Sequence, residues 1–126
     1  MSQTIAPPIS HQPLRAAHDN LTRRYDDAYE SFRREEAAIA AMRSGLDAGP
    51  GDDVDQATIR AQLDEQINLA QNLRDHLDDV GVAIKRCEAG TYGVCENCRR
   101  AIPGERLALF PAAMHCVPCK IQIERR

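Results

Sequence analysis

The sequence predicts a mainly α protein: two long helices paired antiparallel as a coiled-coil hairpin, then a small four-cysteine module and a short C-terminal helix. Three observations predict it. Two stretches repeat apolar residues at alternating steps of four and three, the spacing of a coiled-coil seam. A Gly49-Pro50-Gly51 break separates them. Beyond the second stretch stand two Cys-x-x-Cys pairs, Cys95/Cys98 and Cys116/Cys119, with seventeen residues between them.

Composition points the same way. Of 126 residues, 4% are aromatic and none is Trp, which leaves little material for a large globular core. Charged residues make up 28%, which suits long exposed helices. The net charge of −3 gives no general pull toward nucleic acid or an anionic membrane. No apolar run approaches the roughly 18 residues of a membrane span, and the N-terminus lacks a signal peptide's basic-then-apolar pattern. The expected compartment is the cytoplasm.

Taken in order, residues 1–17 read as a mobile N-terminal tail. Pro7, Pro8 and Pro13 each remove a backbone donor and discourage helix before them. The hairpin is expected over 18–88, with its tip at 46–57. Its first seam is Leu21, Tyr25, Ala28, Phe32, Glu35, Ile39, Met42 and Leu46, with Asp19 or Asn20 as the capping residue. Gly45 to Gly51 forms the break. The second helix restarts near Asp52 or Asp53 with the seam Ile59, Leu63, Gln66, Ala70, Leu73, Leu77, Val80, Ile84 and Cys87. At 1.5 Å per residue such a helix reaches roughly 50 Å. The short Gly-Pro-Gly link favours pairing within one chain, hence a monomer; pairing of the same seams between chains is the alternative.

Residues 89–126 are expected to form the cysteine module and its exit helix. Gly90 suits a helix C-terminal cap and Gly93 a turn. Ile102, Leu107 and Leu109 can pack beneath the module, and Lys120 to Arg126 makes a short helix. Each Cys-x-x-Cys can aim two thiolates at one point, and the loop between the pairs can bring the second over the first. Four sulfurs then surround one Zn²⁺, held by Cys95, Cys98, Cys116 and Cys119. Such a shell has no open position, so the metal is structural and no enzymatic chemistry is expected there. Disulfides or a redox Cys-x-x-Cys are the alternatives. Cys87 lies on the seam and reads as a small buried hydrophobe; His115 reads as a neighbour of the site, since four cysteines already fill it.

The loop tip carries Asp52, Asp53 and Asp55. Asp at a helix start is favoured by unpaired N–H groups and the helix dipole. Three such acids exceed what capping requires. Carboxylates on the end of a stiff hairpin could also reach a cationic or Mg²⁺-containing site in a partner.

Gly90-Thr91-Tyr92-Gly93-Val94-Cys95-x-x-Cys98, Ile102-Pro103, Arg106-Leu107, Pro111 and Cys116-x-x-Cys119 resemble the DksA/TraR zinc-finger family over residues about 88–120. The likeness extends to the tip, where Asp52-x-x-Asp55-x-Ala57 has the form found at the apex of DksA-like coiled coils. The resemblance implies a transcription regulator that binds bacterial RNA polymerase at its secondary channel. The hairpin tip would enter toward the active centre and modulate initiation, without sequence-specific DNA binding. By position, Asp52 and Asp55 would be the acids acting there, with Ala57 kept small for close approach. In family members that bind ppGpp with the polymerase, basic residues stand at the positions of Asp79, Phe110 and Lys120. Only Lys120 is basic here, which leaves it as a residual contact and implies weak or absent ppGpp dependence. Arg99 replaces the glycine usual after the first knuckle. Two other functions stay open: a nucleic-acid-binding zinc finger using Arg99, Arg100, Arg106, Lys120, Arg125 and Arg126, and a Gre-type cleavage or elongation factor.

Overall fold

In the computed structural model, residues 11–47 and 53–125 are described. They form four helices, α1 (His11–Asp47), α2 (Asp53–Ala89), α3 (Gly104–Leu109) and α4 (Val117–Glu124). Among the described residues there is no strand; one isolated antiparallel bridge pairs Val94 with Ala101. The mainly α architecture expected from the two seams and the cysteine pairs is the one observed. No described helix is long and apolar enough to cross a membrane.

The seams explain α1 and α2. Every seam residue from Leu21 to Leu46 and from Ile59 to Cys87 is buried or half-buried, including the two polar ones, Glu35 and Gln66. The start of α1 departs from expectation. It begins at His11, not near His18, so residues 11–17 of the expected tail are helix and residues 1–10 lie outside the described residues. Pro13 falls in the first turn, where backbone N–H groups have no partner within the helix and a missing donor costs little. Leu14 and Ala17 pack on a buried cluster, which rewards the extra turns. Asp19 and Asn20 therefore sit inside the helix and cap nothing; Asn20 Oδ1 accepts a hydrogen bond from Arg24 Nε at 3.3 Å. At the other end α1 runs through Gly45 to Asp47. Residues 48–52 of the expected tip lie outside the described residues.

The chain divides into two compact units. One runs to Tyr25 and resumes at Asp79, so it contains the start of α1, the end of α2 and everything after it. Its centre is Leu21, Val80, Ala83, Cys87 and Tyr92, with Tyr25, Ile84, Leu107 and Ala112 packed around them. Leu21 has no exposed surface and Val80 almost none; burial of such side chains stabilises by about 1.5–3 kcal/mol each. A second small cluster, Cys95, Ile102 and Cys119, also contacts Leu107. Leu107 thus belongs to both. Leu109, expected beside it beneath the metal loop, is instead 76% exposed. α3 is only six residues long, and the residues two apart on it face different ways.

The other unit is Asp26–Asp78, the middle of both long helices. Its buried residues are Ala28, Ala70 and Leu77. Phe32 and Ile39 of α1 and Ile67 and Ala70 of α2 line a shallow groove between the helices, edged by Glu36, Arg43, Gln71 and Arg74. Two of the three buried residues are alanines, which leave little apolar area to bury.

Candidate metal centre

The site begins where α2 ends. Gly90 and Gly93 adopt positive φ (76° and 83°), the left-handed conformation that lets the chain reverse direction without Cβ strain. Gly90 N–H donates to the Cys87 carbonyl and Thr91 N–H to the Arg86 carbonyl, closing the helix end. The chain then forms a tight loop: Cys95 N–H donates to the Arg100 carbonyl at 2.8 Å, Arg99 N–H to the Cys95 carbonyl at 2.9 Å, and Ile102 N–H to the Gly93 carbonyl at 2.7 Å. Turning this loop requires a left-handed residue, and Arg99 supplies it at φ 64°. Arg99 thus holds a conformation that a glycine would adopt without strain.

The second pair uses a helix start. Cys116 is the N-cap of α4 in extended conformation, Pro118 occupies the first turn, and Cys119 follows it. Helix formation starts at Val117, three residues before the expected Lys120. Both sulfurs therefore lie at the positive end of the helix dipole, which favours thiolate. Glu96 N–H donates to the Met114 carbonyl at 2.9 Å and ties the second pair to the first.

These two local structures bring the four Sγ atoms within 4.8 Å of one another. Cys98 Sγ and Cys116 Sγ stand 3.7 Å apart. Sulfurs on a tetrahedron at about 2.3 Å from zinc are separated by about 3.8 Å, whereas a disulfide needs about 2.05 Å. All five cysteines are free. The geometry fits one zinc ion held by Cys95, Cys98, Cys116 and Cys119. Burial pushes the Cys95 thiol up, but the backbone N–H groups of Cys98, Cys116 and Asn97 outweigh it and hold Cys95 at about 6. In Cys116 burial wins, reinforced by the neighbouring thiols, and pushes it up to about 12. Asn97 Nδ2 donates to Cys119 Sγ at 3.3 Å.

The expected neighbours fall into place. Cys87 lies in the hydrophobic cluster, outside the sulfur set, and burial followed by the charge of Glu88 raises its thiol pKa, so it stays protonated. His115 points its Nε2 at Glu96 Oε2, 4.0 Å away, and is not in the sulfur set. Glu96 and Arg86, which reach around the site, carry no sequence signal because their spacing from the cysteines is not periodic. Asp55 is the third residue of α2 and is exposed, as is Ala57. Asp52 lies outside the described residues. Asp79 and Lys120 are exposed, and Lys120 Nζ stands 4.0 Å from Glu124 Oε1. Phe110 is exposed and lies under the Arg106 guanidinium, 5.6 Å from its ring centre.

Residues 90–125 match the model of the prokaryotic dksA/traR C4-type zinc finger. The solved structure of transcription factor DksA2 from Pseudomonas aeruginosa matches with a TM-score of 0.75 at 26% identity, covering 90% of this chain and 84% of that one. The 90–125 segment is a C4 zinc finger of the DksA/TraR type. Its four sulfurs are accordingly the ligands of a DksA/TraR C4 finger with one structural zinc. YteA of Bacillus subtilis (strain 168) is 41% identical over 70 residues, 56% of this chain and 28% of that protein. A protein of Aquifex aeolicus (strain VF5) is 34% identical over 68 residues, 48% of this chain and 47% of its own length. The matched stretch thus spans less than half the length of either curated relative.

Proposed function

We propose that this protein is a transcription regulator that binds bacterial RNA polymerase at the secondary channel and presents the acidic start of α2 toward the active centre. The observation that carries this reading is the joint occurrence of a DksA/TraR finger with the Asp52-x-x-Asp55-x-Ala57 pattern at the head of the second long helix. The fold likeness to the transcription factor DksA2, over 90% of the chain, supports it. Asp55 is exposed and lies within the first turn of α2, so its carboxylate is available to a partner rather than spent in a core. In this reading Asp52 and Asp55 modulate initiation electrostatically at a metal-bearing centre that belongs to the polymerase, and the protein works in the cytoplasm as a non-enzymatic monomer.

The acid at Asp79 repels a polyphosphate, and Phe110 offers no charge-assisted hydrogen bond. Lys120 has Glu124 beside it. We therefore assign the protein weak or no dependence on ppGpp. The test is in vitro transcription with core polymerase and initiation factor, comparing wild type, Asp55→Asn and a zinc-chelated sample, with and without ppGpp. Asp55→Asn should bind polymerase with near wild-type affinity and lose the effect on initiation. Binding lost together with the effect would make Asp55 a structural residue and overturn the assignment. Stimulated transcript cleavage would point to Gre-type action instead.

A further inference from the structure

Arg86 stands in the last turn of α2, and its side chain is only 12% exposed although it carries a full charge. A charge so covered must find partners close by. Its Nη2 donates to the Thr91 carbonyl at 3.1 Å and to the Val94 carbonyl, and Nη1 lies 4.0 Å from Glu96 Oε1. Val94 and Glu96 are the residues on either side of the ligand Cys95. The guanidinium therefore grips the first knuckle on both sides of one sulfur. The chain of contacts continues. Glu96 Oε2 stands 4.0 Å from His115 Nε2, and His115, next to the ligand Cys116, accepts a hydrogen bond on its carbonyl from Arg106 Nε at 2.9 Å. A polar path thus leads from the end of α2 past Cys95 to Cys116, with each step adjoining a ligand.

We infer that Arg86 is a positioning residue for the metal site, coupling zinc occupancy to the stability of the helix ends that pack around Leu21 and Val80. Arg86 touches no sulfur. It acts by fixing the Val94–Cys95 peptide that aims Cys95 and the Thr91 carbonyl ahead of it, and by holding Glu96 where it can meet the second pair. Coupling of this kind is reciprocal: if Arg86 favours zinc, zinc must favour the arrangement of α2 that Arg86 makes. A fork with two donors on one carbon matches this role, and a lysine ammonium does not reproduce it. The inference holds for the finger unit whatever macromolecule the protein binds.

The test uses the full chain. Zinc affinity is measured by competition with a colorimetric chelator, and thermal unfolding by circular dichroism, with zinc and after chelation, for wild type, Arg86→Ala, Arg86→Lys and Leu77→Ala. Leu77 is buried in the Asp26–Asp78 unit and serves as a control for general destabilisation. Arg86→Ala should weaken zinc binding about tenfold, the lower end of the range for residues that orient metal ligands. The melting-temperature gap between zinc-loaded and chelated protein should shrink in the same variant. Arg86→Lys should recover only part of both. Leu77→Ala should lower both melting temperatures while keeping the wild-type gap and zinc affinity. The inference is overturned if Arg86→Ala binds zinc as wild type does, or if its gap between zinc-loaded and chelated protein equals that of Leu77→Ala.

Discussion

The finger unit and the Asp26–Asp78 unit share the same two helices, yet they are stabilised by different means. In the finger unit, Leu21, Val80, Ala83, Cys87 and Tyr92 form a closed apolar cluster, and a four-sulfur site adjoins it through Leu107. In the Asp26–Asp78 unit the same seam continues, but its buried members are Ala28, Ala70 and Leu77, and the larger Phe32, Ile39 and Ile67 remain half-buried along a groove. A regular seam is therefore sufficient to pair two helices, while depth of burial depends on what lies beyond the seam. Only where the chain folds back over α1 and α2 after Gly90 does a third layer exist to complete a core.

Removing the metal should affect this contrast most. A structural zinc in a small finger contributes apparent binding energies on the order of 10 kcal/mol, so Cys98→Ser or chelation should lower the melting temperature more than any other change named here. Metal content by mass spectrometry and limited proteolysis between residues 90 and 125 would register it. Because each sulfur must lose its proton to bind, zinc affinity should fall as pH falls. A finger still resistant to protease after metal loss would show that the apolar clusters suffice. Next in size, Leu21→Ala should cost about 2–5 kcal/mol, as expected for a fully buried leucine. The half-buried Ile39→Ala should cost clearly less in the same urea titration. Equal losses would erase the distinction between the units.

Smaller effects sharpen it. Arg99 holds a left-handed conformation that costs a non-glycine residue about 1–2 kcal/mol. Arg99→Gly should relieve that, offset in part by the freer unfolded chain, and leave the zinc-loaded protein at least as stable. Arg99→Val should lower its melting temperature. Gly45 sits in the last turns of α1 with open space where a Cβ would be. Gly45→Ala should raise stability by about 0.5–1 kcal/mol, read in the same denaturation curves. A loss there would mean that Gly45 contributes something beyond helix propensity.

Much of this arrangement was legible in the residue order. The 4-3-4-3 seams located the paired helices because burial and helical pitch share one period. The two Cys-x-x-Cys pairs located the metal because two sulfurs three residues apart can share one ion. What escaped detection had no period. Pro13 suggested an end to structure, yet first-turn geometry accommodates it and Leu14 finds a core. Leu109 looked apolar enough to bury, but α3 is too short to turn it inward. The Arg86, Glu96 and His115 contacts join residues brought together only by the reversal at Gly90 and Gly93. Among the acids of the tip, Asp55 and Ala57 are exposed on α2, and their role rests on resemblance rather than on packing.

Tyr92 is buried in the apolar cluster, and its hydroxyl donates to the Pro111 carbonyl at 2.7 Å, nineteen residues along the chain. The protein has no tryptophan and three tyrosines. Its ultraviolet emission accordingly comes from phenols alone, and one of them is wedged into the joint between helix end and finger. Chelation should therefore change the tyrosine emission, which would report ion capture and release without an attached dye.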